Sequence, residues 1–107
     1  MQKSKKLRKG EQIKGIIFNL GNEPAKVFLQ NEIQIGRNRS DDIRLYDKSV
    51  SSKQSRIYYL NDTWMIEDLQ SENGTYLNDQ RILKPTTLKE NDIVRCGKIE
   101  LRITFQN

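Results

Sequence analysis

The sequence predicts an all-β fold, a β-sandwich or barrel of many short strands, on three observations. At the C-terminal end Ile99, Leu101, Ile103 and Phe105 alternate with Glu100, Arg102 and Thr104. Short apolar runs recur along the chain, parted by Gly, Pro, Asn and Asp. No stretch carries the apolar period of a long helix, and no repeat is present. A period of two sets one face of a strand against a core and the other in water. Many short strands separated by turn residues pack as two layers or a barrel.

In chain order, strands are expected at residues 13–18, 26–30 and 32–37, parted by Gly21-Asn22-Glu23-Pro24 and by Asn31. Residues 55–60, rich in Ile and Tyr, pair with residues 63–69 through a turn at Asn61-Asp62. Shorter strands fit residues 75–77 and 92–96, and Asn91-Asp92 and Gly97-Lys98 mark the last turns. Ile43, Leu45, Val50, Trp64, Ile66, Leu69 and Leu88 are assigned to the core. Cys96, between Ile93 and Ile99, belongs there too, as a small apolar residue and not a reactive thiol.

Composition narrows the function. A chain of 107 residues is one domain's worth. Its formal charge of +5 is local: Lys3, Lys5, Lys6, Arg8 and Lys9 lie in the first ten residues, and without them 14 basic residues face 14 acidic ones. Residues 1–10 therefore read as a basic flexible tail or linker remnant, and residues 11–107 as the folded domain. The absence of His removes the usual general base and the commonest metal ligand. One Cys makes neither a disulfide nor a metal quartet. No enzyme activity, cofactor or metal is expected. With no apolar run long enough to span a bilayer and no signal peptide, a cytoplasmic location is expected. The basic start would equally suit a juxtamembrane linker in a larger membrane-associated protein.

Three loops are dense in polar, donor-bearing residues: 36–42, 47–55 and 70–78. The first carries Gly36, whose small size lets the backbone turn sharply, then Arg37 and Arg39. Arginine offers a planar fork of donors matched to phosphate oxygens. The second carries Ser49, Ser51, Ser52 and Lys53; hydroxyls, exposed backbone N–H groups and a positive charge can complete a phosphate cradle. The third carries Glu72, Asn73, Gly74 and Thr75, an Asn-Gly turn whose amide can both donate and accept toward a ligand backbone. Alone, each loop is ordinary.

Their order is not. The chain reads Ile35-Gly36-Arg37, Asp42-Ile43-Arg44-Leu45, Val50-Ser51-Ser52-Lys53-Gln54-Ser55-Arg56-Ile57, Trp64-Met65-Ile66-Glu67-Asp68-Leu69, Ser71-Glu72-Asn73-Gly74-Thr75-Tyr76-Leu77-Asn78, then Leu88, Asn91-Asp92-Ile93-Val94 and Gly97. In this it resembles the forkhead-associated (FHA) domain family, over nearly the whole chain. The resemblance implies a sandwich of two twisted antiparallel sheets, about eleven short strands in all, that recognises phosphothreonine in partner proteins. It also implies roles: Arg37 and Ser51 on the phosphate, joined by Ser52, and Asn73 on the ligand main chain. Gly36, Gln54, Gly74, Thr75 and Asn78 would shape the loops. Arg39, Ser49, Lys53 and Glu72 are further candidates for phosphate contact or ligand preference, as is the segment 78–81.

Three residues depart from the family pattern. Ser52 stands where Arg or Asn is common and brings no charge. Gln54 replaces a His that ties the second loop to the core. Glu72 puts a carboxylate where Ser or Thr often touches phosphate, unless it swings outward or pairs with Lys53 or Arg39. These residues motivate the alternative reading, a phosphate-independent scaffold for protein–protein association. A tail-borne grip on nucleic acid or lipid ranks last, since the rest of the chain is neutral. The expected partners are phosphothreonine segments made by a Ser/Thr protein kinase, bound by a monomer, with no nucleic acid.

Overall fold

The computed structural model describes residues 13–106; the basic tail lies outside the described residues. Within the described residues eleven strands form two sheets. The first sheet has the order β2-β1-β11-β10-β7-β8, built from β1 (Ile16–Asn19), β2 (Lys26–Phe28), β7 (Thr75–Leu77), β8 (Gln80–Arg81), β10 (Ile93–Cys96) and β11 (Ile99–Phe105). The second has the order β4-β3-β5-β6-β9, built from β3 (Glu32–Gly36), β4 (Ile43–Arg44), β5 (Ser55–Leu60), β6 (Thr63–Asp68) and β9 (Thr86–Thr87). Neighbouring strands with assigned register run antiparallel, except β3 and β4, which pair in parallel with Ile35 opposite Ile43.

Alternation builds the core. Ile16 and Phe18, Ile33 and Ile35, Ile57 and Tyr59, Trp64 and Ile66, Val94 and Cys96, and Leu101 and Ile103 all point inward and are buried. Ile43, Leu45, Val50 and Leu88 join them. Burial of each large aliphatic side chain contributes about 1.5–3 kcal/mol. Trp64 donates its indole N–H to the Lys14 carbonyl at 2.8 Å, so its one polar group is satisfied.

Cys96 is fully buried, and desolvation pushes its thiol up to about 12, against a smaller opposing effect of the Ser55 hydroxyl.

Leu69 departs from expectation. It is only half-buried and stands outside the core cluster. On β6 the inward phase runs through Trp64 and Ile66, so Leu69 falls out of phase and Asp68 continues the inward row. The strands β4, β8 and β9 have two residues each. That is too short for any alternation to show.

Two hairpins are set by residue type. Asn61 and Asp62 have φ of 53° and 63°, and Asn78 and Asp79 have φ of 51° and 70°. Paired left-handed residues make the turn whose twist matches antiparallel strands.

Register brings the site to one end. Ile35 faces Ser55, Ser55 faces Asp68, and Cys96 faces Thr75. The C-terminal ends of β3, β6 and β10 thus meet the N-terminal ends of β5, β7 and β11. The three polar loops emerge there.

Candidate functional site

The loops are stitched to one another by main-chain and side-chain hydrogen bonds. The Arg37 N–H donates to the Ser51 carbonyl at 3.1 Å, joining the first loop to the second. The Glu72 N–H donates to Ser51 Oγ at 2.8 Å, and Asn73 Nδ2 donates to the Ser49 carbonyl at 2.9 Å, joining the third to the second. Arg37, Ser51 and Asn73 are thereby gathered at one edge of the sandwich.

In the first loop, the Asp41 carboxylate accepts the Asn38 N–H at 2.9 Å and the Asp41 N–H returns to the Asn38 carbonyl at 3.1 Å. The resulting turn projects Arg39 and Ser40 into solvent. Burial raises the Asp41 carboxyl above its ordinary range, with the Asn38 bond opposing. Arg44 Nε donates to the Arg37 carbonyl at 3.0 Å, fixing the backbone under the Arg37 side chain. The guanidinium of Arg37 is exposed and has no partner among the described residues.

Gly36 has a different role from the one expected. Its φ is not in the left-handed region. A Cβ there would collide with the Ser52 carbonyl and the Asp41 carboxylate. Glycine is needed because the second loop lies directly against this backbone, not because the chain turns.

In the second loop Ser51 Oγ accepts the Glu72 N–H, which leaves its own proton to donate outward. The Ser51 N–H is occupied by Gln54 Oε1 at 2.9 Å. The Ser52 and Lys53 N–H groups have no acceptor among the described residues, and both side chains are exposed. The two adjoining loops thus carry a guanidinium, a hydroxyl proton, two main-chain N–H groups and an ammonium that no described residue occupies. Ser49 faces elsewhere: Oγ donates to Asp47 at 2.5 Å and accepts the Lys98 N–H at 2.9 Å. The Ser49 hydroxyl, then its N–H, with Lys98 and Lys48 adding charge, holds the Asp47 carboxyl below its ordinary range.

Gln54 holds this arrangement from beneath. It is fully buried, and Nε2 donates to the Gly74 carbonyl and to Thr75 Oγ1, both at 3.0 Å. Thr75 Oγ1 also lies 2.8 Å from Ser55 Oγ and donates to Asp68 Oδ1 at 2.6 Å. Asp68 in turn accepts the Ser71 hydroxyl at 2.6 Å and the Ser71 N–H at 3.1 Å. Among the described residues no buried side-chain polar atom lacks a partner, as buried polar networks require.

Glu72 and Asn73 are exposed, and Glu72 forms no ion pair with Lys53, Arg39 or another described residue. Gly74 has φ of 86°, so the turn needs glycine. Asn78 stands apart from the cradle, beyond the far end of β7. Its Nδ2 donates to Asp92 at 2.9 Å and its Oδ1 accepts the Ile93 N–H at 2.9 Å. It shapes the β7–β8 turn, not the loop that bears Asn73.

The sequence alone assigns no role to Asp68 or Asp47, and assigns Gly97 only to a turn. Asp68 and Asp47 accept N–H groups three and two residues ahead, a spacing typical of Asp-led turns and visible in sequence. Gly97, with φ of 57°, packs against Ser49, and nothing in the sequence signals that contact.

The model of the family described as FHA domain matches residues 33–97. The FHA domain-containing protein FhaB of Mycolicibacterium smegmatis is 33% identical over 90 residues, covering 82% of this chain and 53% of that protein. A solved chain from a structural and functional analysis of phosphothreonine-dependent FHA domain interactions superposes with a TM-score of 0.79 at 24% identity, covering 87% of this chain and 98% of that one. Mycobacterium tuberculosis EmbR, solved in complex with a low-affinity phosphopeptide, gives 0.81 at 24% identity, covering 94% of this chain and 26% of that one. The chain spans about half the length of FhaB. With its eleven-stranded sandwich and a family match across most of its length, the chain belongs to the FHA domain family.

Proposed function

We propose that this chain is a phosphothreonine-binding module, with no catalytic role, that docks onto phosphorylated segments of partner proteins. The observation that carries the reading is that hydrogen bonds between the loops bring together the residues Arg37, Ser51 and Asn73, with the Ser52 and Lys53 N–H groups in the same set. All are donors or cations, and no described residue occupies the Arg37 guanidinium. The named subjects of two matched structures, phosphothreonine-dependent FHA interactions and a phosphopeptide complex, support it.

In this reading Arg37 takes two phosphate oxygens with its fork, and Ser51 donates its hydroxyl proton to the third. Asn73 turns its amide toward the ligand main chain. The phosphorylated segment comes from a Ser/Thr protein kinase, and the module acts as a monomer in a reducing, cytoplasmic compartment. Among the described residues no helix is long and apolar enough to cross a membrane.

The test is calorimetric titration with a phosphothreonine peptide of a known FHA ligand type. Arg37→Ala and Ser51→Ala should each lose roughly 1.5–3 kcal/mol of binding, the worth of a charge-assisted hydrogen bond. Retention of partner binding by Arg37→Ala would instead favour a phosphate-independent scaffold.

A further inference from the structure

The loop that bears Asn73 is flanked by two arginines with no part in the phosphate cradle. Arg81 on β8 and Arg95 on β10 are the cross-strand neighbours of Tyr76 on β7, so the three form a row across the first sheet. Thr75 points into the core, so Tyr76 points outward. Arg95 stacks on the Tyr76 ring with Cζ 4.1 Å from the centroid, and donates to the Gly97 carbonyl at 3.3 Å. Arg81 reaches back along the strand: a methyl on Gly74 would stand 2.8 Å from its Nε. Its guanidinium therefore lies against the residue next to Asn73. Arg81 is exposed and has no ion pair or hydrogen-bond acceptor for its side chain among the described residues.

Two carboxylates oppose this row. Glu100 is the cross-strand neighbour of Arg95, and Glu72 lies in the loop itself. Neither forms an ion pair with Arg81 or Arg95 among the described residues. Lys98, on the turn between β10 and β11, adds a third positive charge at the same end. Arg56, by contrast, is paired with Glu67 and Glu32 at 3.0 and 3.4 Å.

Resting on the phosphothreonine reading above, we propose that Arg81, with Arg95 held beside it by Tyr76, forms a second subsite. It takes an anionic side chain in the ligand on one side of the phosphothreonine. The Arg81 guanidinium fills the space that a side chain at residue 74 would take, so a ligand gripped by Asn73 has this positive charge one residue away. The anion is a carboxylate of Asp or Glu or a second phosphate, which share the chemistry that a guanidinium fork recognises.

The experiment compares a phosphothreonine peptide with neutral flanks against peptides carrying Glu or phosphoserine at each flanking position in turn. At low ionic strength an anion at one or more positions on one side should tighten wild-type binding about two- to fivefold, the range an exposed ion pair supplies. The gain should shrink with added salt. Arg81→Gln should lose the gain and keep its affinity for the neutral-flank peptide, and Arg81→Lys should retain part of it. A larger gain from phosphoserine assigns the subsite to a second phosphate, and equal gains assign it to carboxylates; both support it. A thermal melt checks that each variant is folded. No gain at any position, or a gain that survives in the Arg81→Gln, Arg95→Gln double variant, overturns the subsite and leaves the phosphothreonine reading standing. Failure of every phosphothreonine peptide to bind overturns both.

Discussion

Gln54 Oε1 accepts the main-chain N–H of Ser51 at 2.9 Å, and this bond couples the loop that bears Ser51 to the interior of the sandwich. The same amide donates to Gly74 and Thr75 of the neighbouring loop. One buried side chain thus sets the relative position of the loops bearing Ser51 and Asn73. Gln54→Leu keeps the volume but strands the Ser51 N–H, the Gly74 carbonyl and part of the Thr75 hydroxyl capacity. Each buried unsatisfied group costs about 1–3 kcal/mol, partly relieved by relaxation. The expected loss is about 2–4 kcal/mol in a denaturant melt, with weakened phosphopeptide binding even where the variant remains folded.

Gly36 separates two loops that touch. Because its Cβ would meet the Ser52 carbonyl and the Asp41 carboxylate, Gly36→Ala must push the loops apart. Overpacking of this kind costs typically 1–3 kcal/mol. The ligand affinity should fall by more than stability alone predicts, because Arg37 is the next residue. Affinity and melting temperature, measured on the same preparation, check this.

Glu72 carries an exposed carboxylate directly after the loop's anchoring Ser71, and no described residue neutralises it. A like charge near a bound phosphate costs about 1 kcal/mol in a water-like dielectric. Glu72→Gln should therefore tighten phosphothreonine binding by up to about fivefold, with little change for an unphosphorylated peptide. Titrations of both peptides against both proteins read this directly.

Cys96 gives a pH dependence of fixed sign. The folded thiol ionises only near 12 because burial disfavours the thiolate, whereas the unfolded thiol ionises near 8.5. Between these values the unfolded state has released its proton and the folded state has not, so rising pH favours unfolding. Stability falls by about 1.4 kcal/mol per pH unit in that window, and below it the contribution is fully present and the slope vanishes. Cys96→Ala lacks this slope, and the difference between the two proteins in denaturant melts at successive pH values isolates it. At pH 8 the native thiol should react with a thiol reagent only as fast as the protein opens.

Much of this was legible in the residues. Ile99 to Phe105, Thr63 to Asp68 and Ser55 to Leu60 are long enough for alternation to show, and their strands run where the pattern put them. The strands β4, β8 and β9 were not legible, because two-residue strands exist only by pairing with neighbours. Leu69 was misplaced by one residue of phase. At the site, the order of Arg37, Ser51 and Asn73 was readable, but the reasons behind their support were not. Gly36 is required by the approach of Ser52, sixteen residues on. Ser49 is turned away by Asp47 and by the Lys98 N–H, which lies forty-nine residues on in the turn between β10 and β11. Contacts between distant segments leave no local trace in a sequence. Two of the three bonds of Gln54 belong to the same class, since Gly74 and Thr75 lie twenty and twenty-one residues on.

The central claim is that these loops hold a phosphorylated threonine. Titration of the wild-type protein with one peptide in three forms, bearing phosphothreonine, phosphoserine or threonine, tests it most directly. Tightest binding to the phosphothreonine form is predicted, with phosphoserine several-fold weaker for want of one buried methyl, worth about 1 kcal/mol, and no measurable binding of threonine. Equal binding of the phosphorylated and unphosphorylated forms would contradict it.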